Sequence, residues 1–393
     1  MIEIKGIYLS TPTEIPIVAV LLLLLTIIYC ISIFYIFIGL FRLPKYKNNF
    51  HHFISVIVAA HNEESKIARC IQSIIDQDYP HDKYELIIAD DRSMDTTPAI
   101  IDKYCSGNSL CRSVRIENNG DVIPKKTALI KGLSEARGEV IVSTDADCYL
   151  PETWLSTINS YFTKDVGMVI GHTGYTRKRG FWRGIEALDY LSQRALGVAF
   201  VGIGSAYTCT ASNFAYRKQI FDENREEFSR IKVRPAEDNY LLHCVHGNSS
   251  YRIAVATDPG SFVTTDGASD FAHFLNQRFR WGAYGGNITT LAVKLFFIPV
   301  LFYYIGVWYA LCTAFFIPSI FFYLLASLCC KLVVDFLFAV RSVTLFRSVY
   351  LLKYFFPLSL LQLILIPVIV IKGNMFSFSW KGRRYTIDRE IKK

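Results

Sequence analysis

The sequence predicts an α/β protein in which a mostly parallel sheet is joined to apolar helices at both ends of the chain. Between residues 49 and 290, short β-branched runs alternate with helical patterns, which favours parallel strands linked by right-handed crossovers. Long apolar runs precede and follow that region. The 393 residues are 52% hydrophobic with a mean hydropathy of +0.28, which is too apolar for an ordinary soluble protein.

The α/β region opens with a buried strand at Ile54–Ala60, and a second strand at Tyr84–Ala89 runs into two aspartates. A short strand is predicted at Ser113–Ile116, and another begins at Val140. Three segments between these strands have helical periodicity: Glu64–Asp76, Thr97–Tyr104 and Thr127–Arg137. We expect Gly138 to cap the last of these helices.

The apolar runs divide the chain into an N-terminal transmembrane anchor (1–48), the α/β domain (49–290), C-terminal transmembrane helices (291–372) and a basic tail (373–393). The anchor contains the apolar run Ile15–Phe41, which is too long for a signal peptide and lacks a cleavage site. Three further spans are predicted at Phe296–Ile317, Ser319–Val340 and Tyr350–Ile371. Lys331 and Asp335, which interrupt the second of these, could pair with each other or line a pore.

Basic residues set the expected orientation. Arg42, Lys45 and Lys47 follow the first span, so the α/β domain should be cytosolic and the protein an integral protein of the cytoplasmic membrane. Four spans would then put the basic tail outside, against the positive-inside rule, so either one run is re-entrant or the tail departs from the rule. The net charge of +8 is typical of cytoplasmic flanks, and we expect no nucleic-acid partner.

The ten cysteines are scattered without C-x-x-C pairs, and several lie in apolar runs. This pattern favours a reducing compartment, with neither a disulfide framework nor a zinc site.

A carboxylate pair follows the strand that begins at Val140. Asp145 and Asp147 come directly after Ser143 and Thr144, with a small residue between the two acids. Ligands of open α/β sheets gather at the carboxyl ends of strands. Two carboxylates there can hold Mg²⁺ or Mn²⁺ and leave positions for phosphate oxygens and water, although an isolated pair is more often a polar turn.

Two further polar groups suit a nucleotide. Asp90 and Asp91 end the second strand and could bind a base or ribose edge, or they could belong to a turn in which Asp95 caps a helix. Lys125 begins a helix, where a lysine opposes the macrodipole unless an anion such as phosphate is bound. A solvated lysine pair is the alternative.

Two motifs nearer the C-terminus suit an acceptor. Glu237 and Asp238 precede an apolar run, so they either cap a helix or supply a general base. The segment Gln277–Trp281 lies on an apolar stripe typical of an interfacial helix. Arg280 there could pair with phosphate, and Trp281 could be a membrane anchor.

In this order, the motifs make the region from His51 to Trp281 resemble glycosyltransferase family 2, the inverting enzymes of the Rossmann-like GT-A fold. The resemblance is carried by seven segments: 57–64, 90–97, 124–132, 145–147, 211–218, 237–238 and 277–281. The sequence departs from the family pattern at four positions: His61 replaces tyrosine, Pro124 and Ala211 replace glycines, and Ile130 replaces asparagine.

The resemblance implies a UDP-sugar donor, a divalent cation (Mg²⁺ or Mn²⁺) and a single displacement that inverts the anomeric carbon. It implies Asp238 as the general base, with Glu237 beside it. The residues implied for the donor are Ala60, Asn62, Glu63, Asp90, Asp91, Lys125 and Asp145. Asp147 and Asp145 are the implied metal ligands, and the acceptor and pyrophosphate residues are Asn213, Gln277, Arg280 and Trp281.

The expected acceptor is a membrane lipid hydroxyl and the sugar a hexose such as glucose. The arrangement of spans and the tail segment Phe378–Tyr385 are similar to ceramide glucosyltransferases and related bacterial lipid glycosyltransferases. The alternatives are a processive polysaccharide synthase of the cellulose or hyaluronan type and a non-catalytic membrane scaffold or nucleotide-sugar sensor. The sequence identifies neither the sugar nor the oligomeric state.

Overall fold

The computed structural model describes residues 16–116, 124–230, 237–248, 250–284, 290–375, 378–380 and 383–385. Its strands are β1 (Ile54–Ala60), β2 (Tyr84–Asp90), β3 (Cys111–Arg115), β4 (Val140–Asp145), β5 (Val166–Ile170), β6 (Thr173–Tyr175), β7 (Phe214–Arg217), β8 (Arg252–Val255), β9 (Val263–Thr265), β10 (Phe378–Trp380) and β11 (Arg383–Tyr385).

The helices are α1 (Ile17–Gly39), α2 (Ile67–Ile75), α3 (Thr97–Cys105), α4 (Pro124–Glu135), α5 (Trp154–Ser160), α6 (Phe181–Gly202), α7 (Lys218–Arg230), α8 (Glu237–Gly247), α9 (Phe271–Tyr284), α10 (Leu291–Ala314), α11 (Ile320–Leu345) and α12 (Phe355–Met375). A 3₁₀ helix, Val349–Tyr354, leads into α12.

The central sheet confirms the predicted fold class. Seven strands lie in the order β3-β2-β1-β4-β7-β5-β8, and β7 is antiparallel to both of its neighbours while the other pairings are parallel. The smaller pairs β6–β9 and β10–β11 lie outside this sheet. The strand pairing brings the carboxyl ends of β1, β2 and β4 to one edge, because Ala60 lies opposite Asp90 and Ala59 opposite Asp145.

Two local expectations are corrected. Helix α2 begins at Ile67 rather than Glu64, because the Glu64 amide donates to Asp95 Oδ2 instead of entering a helix. Gly138 is not a helix cap, since α4 already ends at Glu135. A Cβ at Gly138 would lie 2.4 Å from the Ser55 amide nitrogen, so the glycine permits close contact with β1.

Among the described residues, four helices are long and apolar enough to cross a membrane: Ile17–Gly39, Leu291–Ala314, Ile320–Leu345 and Val349–Lys372. Their number agrees with the one N-terminal and three C-terminal spans that the sequence predicts. The domain boundaries at residues 48, 290 and 372 stay predictions, as does the side of the membrane. Most of the basic tail lies outside the described residues.

Of the two alternatives for Lys331 and Asp335, the structure shows that they pair with each other. Lys331 is only 1% exposed and its ammonium group contacts the Asp335 carboxylate one turn along α11. Tyr29 of α1 donates to the same carboxylate at 2.8 Å, and the Lys331 nitrogen lies 5.7 Å from the Tyr304 ring centre. This network joins α1, α10 and α11 where a lone charge would be costly.

One cysteine expectation is wrong. Cys105 and Cys111, which join the end of α3 to β3, form a disulfide. The eight other cysteines are free.

Candidate active site

The candidate site begins at the edge where β1, β2 and β4 end. Ala60, Asp90 and Asp145 lie on adjacent strands there, as the pairing of the strands requires. Asp90 and Asp91 are each 5% exposed, while Asp145 is half-buried. Three residues that the sequence predicts for donor binding therefore share one edge of the sheet.

The loops after β1 and β2 are linked by side-chain hydrogen bonds. Asn62 and Arg92 adopt left-handed conformations, with φ of 52° and 56°. The Asn62 amide donates to Ser93 Oγ at 2.9 Å, and Asn62 Oδ1 accepts from the Met94 amide at 2.8 Å. Arg92 pairs with the Asp91 carboxylate at 2.9 Å. These bonds hold the 61–64 and 91–97 segments as one rigid rim.

Asp147 lies at the same edge, in an acidic environment. Burial raises the pKa of the Asp147 carboxyl, and the nearby Asp145 and Glu63 charges raise it further. The Lys66 ammonium is 3.9 Å from Asp147 Oδ2 and offsets part of this repulsion. Because these donors are carboxylate oxygens, they fit a hard divalent cation that would share its remaining positions with phosphate and water. The described residues contain no group of three or more His, Cys, Asp or Glu side chains that could hold a metal by themselves.

The loop before β7 packs against the end of β4. Thr144 Oγ1 donates to the Ser212 carbonyl at 3.0 Å. Asn213 follows and is fully buried: its Oδ1 accepts from Trp154 Nε1 at 3.0 Å, and its Nδ2 donates to the His172 and Ser261 carbonyls. The structure therefore gives the Asn213 side chain a supporting role, and its direct contact with an acceptor stays a prediction.

Asp238 is the second residue of α8, lies beside this loop and is 9% exposed. Its Oδ1 accepts from the amide of the next residue, Asn239, at 2.8 Å. Asn239 Oδ1 in turn accepts from the Cys209 amide at 3.1 Å, and the Cys209 carbonyl accepts from Arg194 Nη1 at 3.0 Å. Asp238 is thus tied to the loop that lines the end of β4.

Helix α9 carries the Gln277–Trp281 motif and packs against α6. Trp281 is half-buried, and its ring centre lies 5.7 Å from that of Tyr190 on α6. The Arg194 guanidinium lies 5.3 Å from the Tyr190 ring centre and 5.6 Å from the Trp281 ring centre. Tyr190 also lies within electrostatic range of Asp145. Trp281 therefore packs against the α/β domain, and Tyr190 and Arg194 link α9 to the acidic edge and to the loop that contains Cys209. We call the region bounded by the acidic edge, the Cys209 loop with Asp238, and α9 the candidate cleft.

The buried arginine of α9 is Arg278, which the sequence analysis did not assign. It is 1% exposed, and its Nε donates to Asp189 Oδ2 at 2.6 Å. Its Nη1 donates to Gln277 Oε1 at 2.7 Å, and its guanidinium lies 4.4 Å from the Trp281 ring centre. Arg280 is half-buried. Arg278 thus fixes the motif internally, and Arg280 remains the predicted pyrophosphate contact.

Two predicted residues are described only through their backbone. Lys125 lies in the first turn of α4, and Glu237 is the first residue of α8. Their side chains lie outside what the structure describes, so their roles stay predictions.

Helix α6 supplies the site residues that sequence reasoning missed. It is largely buried, yet it carries Glu186, Asp189, Tyr190 and Arg194 along its length. Glu186 Oε1 accepts from the Ala268 amide at 2.6 Å and so fixes the segment that leads into α9. Polar side chains at three- and four-residue spacing in a largely apolar helix were the available signal.

Comparison with known proteins shows which family the α/β domain is similar to. Residues 55–225 match the sequence model of the family described as Glycosyl transferase family 2. The chain is 35% identical over 109 residues to a beta-monoglucosyldiacylglycerol synthase of Synechocystis sp., over 28% of this chain but 22% of that protein. It is 27% identical over 241 residues to the glycosyltransferase AglE of Haloferax volcanii, over 58% of this chain and 72% of that protein.

A solved structure shows the same fold. A mannosyltransferase from Pyrobaculum calidifontis, determined in complex with GDP-Man and Mn²⁺, superposes with a TM-score of 0.53. The match covers 88% of this chain and 98% of that protein at 16% sequence identity. At that identity the likeness concerns the fold alone.

Proposed function

Because residues 55–225 form a domain of glycosyltransferase family 2, we propose that this protein is an inverting hexosyltransferase that moves a sugar, such as glucose, from a UDP-sugar to a membrane lipid hydroxyl. The observation that supports the proposal is the series of contacts through Tyr190, Arg194 and Cys209 that links the acidic edge of β4, the helix of Asp238 and the helix of Trp281. We assign its catalytic domain to the cytosolic side, where the basic flank of the first span would hold it.

The donor is assigned to the edge of β1, β2 and β4. Asp90 and Asp91 offer acceptors for the hydroxyls and ring nitrogen of a nucleoside, within the rim formed by the loops after β1 and β2. Ala60, Asn62 and Glu63 would complete that rim. Lys125 and Arg280 are the cations assigned to the diphosphate.

Asp145 and Asp147 are the residues that would hold Mg²⁺ or Mn²⁺. Such an ion, when bound, neutralises charge on the leaving diphosphate. Lys66, 3.9 Å from Asp147, is a second cation at the same point. The fit rests on the donor chemistry: two adjacent carboxylates at a strand end, which repel each other unless a cation lies between them.

Asp238 is assigned as the general base. It would accept the proton of the acceptor hydroxyl while the hydroxyl oxygen bonds to the anomeric carbon and the bond to the diphosphate breaks on the opposite face. Such an inversion needs no covalent enzyme intermediate. Burial of Asp238 behind the Cys209 loop limits the approach of water, which would otherwise compete with the acceptor.

Helix α9 supports a lipid acceptor. Phe274 of α9 packs with Leu365 of α12, and Lys372 at the end of α12 lies 5.3 Å from the Phe279 ring centre. The helix that presents Trp281 to the cleft is therefore also packed on a membrane-span candidate. A hydroxyl at the headgroup level could reach the cleft along α9.

The proposal is tested with membranes that contain the full chain, supplied with Mg²⁺ or Mn²⁺ and a panel of radiolabelled UDP-sugars, with GDP-mannose for comparison. Thin-layer chromatography of the lipid extract should show a labelled lipid with one UDP-sugar. Label retained by a size filter instead would support a polysaccharide synthase. No transfer and no hydrolysis of any donor would refute the enzyme assignment in favour of a scaffold or sensor.

Asp238→Asn provides the sharper test. We expect transfer to fall by about 10²–10⁴-fold while donor affinity is kept, since only the proton acceptor is lost. Asp222→Asn, an exposed position on α7, is the matched control. Native transfer rates in Asp238→Asn would exclude this residue as the base.

A further inference from the structure

A surface groove of mixed polar and apolar lining lies beside the acidic edge and outside the cleft already described. It is formed by α2, the end of α3 and the turn that follows Asp147, and its volume is about 440 Å³, within the range of small-molecule sites. Six side chains give it its chemical character: Arg69, Gln72, Asp76, Tyr104, Tyr149 and Glu152.

The walls of the groove are rigid. Tyr149 is paired with Thr264 in both directions, since its amide donates to the Thr264 carbonyl at 2.8 Å and its carbonyl accepts from the Thr264 amide at 3.0 Å. The Asp78 amide donates to the Glu152 carbonyl at 2.9 Å. Buried Gln77 donates to the Pro151 carbonyl at 2.8 Å. A ligand would therefore meet a preformed surface and would lose little free energy in ordering it.

The side chains that line the groove suit a neutral polyol. The Tyr149 side chain is 50% exposed, and its fixed backbone displays the aromatic ring at the groove. The Arg69 guanidinium lies 5.9 Å from the Tyr149 ring centre, and Gln72 Nε2 donates to Asp76 Oδ1 at 2.8 Å. With Glu152, these side chains have further donor and acceptor positions around the ring. A sugar ring has both an apolar C–H face, which packs on an aromatic ring, and hydroxyls that bind such groups. One arginine against two carboxylates gives no net positive charge to attract a phosphate.

The groove lies beside the metal edge. Lys66 contacts Asp147, and Arg69 follows one helical turn later on the same side of α2. The two cations also act on one loop, because the pKa of Asp266 is lowered first by Lys178 and then by Lys66 and Arg69. A ligand in the groove would thus lie next to the site of transfer.

We propose that this groove is a saccharide subsite that holds sugar residues already attached to the acceptor. The inference rests on the proposed transferase function and extends it, because it makes a glycosylated lipid a better acceptor than a bare one. Tyr149 would be the stacking platform, and Arg69, Gln72 and Asp76 would bind the hydroxyls.

Direct binding is tested first, on detergent-solubilised full-length protein without donor. Saturation-transfer NMR with cellobiose and maltose should show binding of at least one disaccharide. Tyr149→Ala should weaken it about tenfold, whereas Tyr149→Phe, which keeps the ring, should retain it. Phe50→Ala removes an aromatic side chain that is 61% exposed and lies outside the groove, and it should leave binding unchanged. Absence of binding to the wild type, or equal binding by Tyr149→Ala, would overturn the proposal.

Transfer provides the second test. Rates are compared for diacylglycerol and for the same lipid carrying one glucose, and the ratio of the two should fall about tenfold in Tyr149→Ala but not in Phe50→Ala. An unchanged ratio in Tyr149→Ala would refute the subsite. If neither acceptor and no donor reacts, the transferase assignment fails, whereas the NMR measurement still decides whether the groove binds saccharides.

Discussion

On the acceptor side of the cleft, we expect stability to be most sensitive to substitutions in the ion pair between Arg278 and Asp189. It joins α9 to α6, the guanidinium is 1% exposed, and the two charged groups meet at 2.6 Å. Asp189→Asn removes one charge with almost no change in volume. The Arg278 charge then stays buried without its partner, which typically costs about 3–5 kcal/mol.

A double variant separates the charge from the packing. Replacing Asp189 by Leu and Arg278 by Met removes both buried charges and keeps apolar volume, so most of the lost stability should return. Activity should not return with it, because the Arg278 guanidinium also contacts Gln277 and lies 4.4 Å from the Trp281 ring centre. Stability and transfer rate should therefore respond differently to the same pair of substitutions.

Thermal unfolding in detergent measures the first effect. A loss of 3–5 kcal/mol should lower the unfolding temperature of a domain of this size by about 10 °C. Asp222→Asn, at an exposed position, should shift it by less than about 2 °C. The reasoning fails if Asp189→Asn unfolds with the wild type, or if the double variant is no more stable than the single one.

Three further predictions concern other parts of the molecule. Asp147→Asn should raise the concentration of Mn²⁺ needed for half-maximal transfer at least tenfold, which a metal titration would show, and an unchanged requirement would exclude this ligand. His172, whose pKa is lowered to about 3 by burial and then by Arg194, stays neutral in the folded state while the unfolded chain binds a proton below about pH 6.5. The free energy of unfolding should therefore fall as the pH drops below about 6.5. Between pH 7.5 and pH 5, His172→Phe should reduce this fall by about 2 kcal/mol, as measured in unfolding experiments. Lys331→Met should destabilise the protein by several kcal/mol, because the half-buried Asp335 carboxylate loses its countercharge although Tyr29 still donates to it, and Lys331→Met/Asp335→Leu should restore unfolding temperatures if the pair is structural.

The sequence correctly predicted those helices and strands whose bounds depend on their own residues. Strand β1 has the predicted bounds, because a β-branched run stopped by polar residues needs no distant partner to be recognised. Helix α2 was extended too far at its start, since the Glu64 amide is bound by Asp95, a residue on the loop after another strand. The partners of such a bond are adjacent only after the sheet has formed, so helical periodicity could not reveal it.

The same distinction between local and long-range contacts explains which residues of the site were predicted. Asp90 and Asp145 were each predicted at the carboxyl end of a strand in a mostly parallel sheet, and the register places both at one edge. Arg278 could not be told apart from Arg280 by spacing, because its burial depends on Asp189 from an element that the sequence analysis did not assign. The disulfide between Cys105 and Cys111 was missed for a similar reason, since the pairing depends on where α3 and β3 meet.

Helix α6 provides the physical link between the cleft and the candidate membrane helices. At its C-terminal end a Cβ on Gly202 would lie 1.9 Å from the Gly39 carbonyl oxygen, so α6 and α1 touch through their backbones. Near its N-terminal end a Cβ on Gly184 would lie 2.0 Å from the Tyr354 ring, so the 3₁₀ helix before α12 is packed equally closely. Tyr190 lies between these two contacts and faces Trp281. Because close-packed contacts transmit displacement instead of absorbing it, a shift of the apolar helices should move the aromatic wall of the cleft.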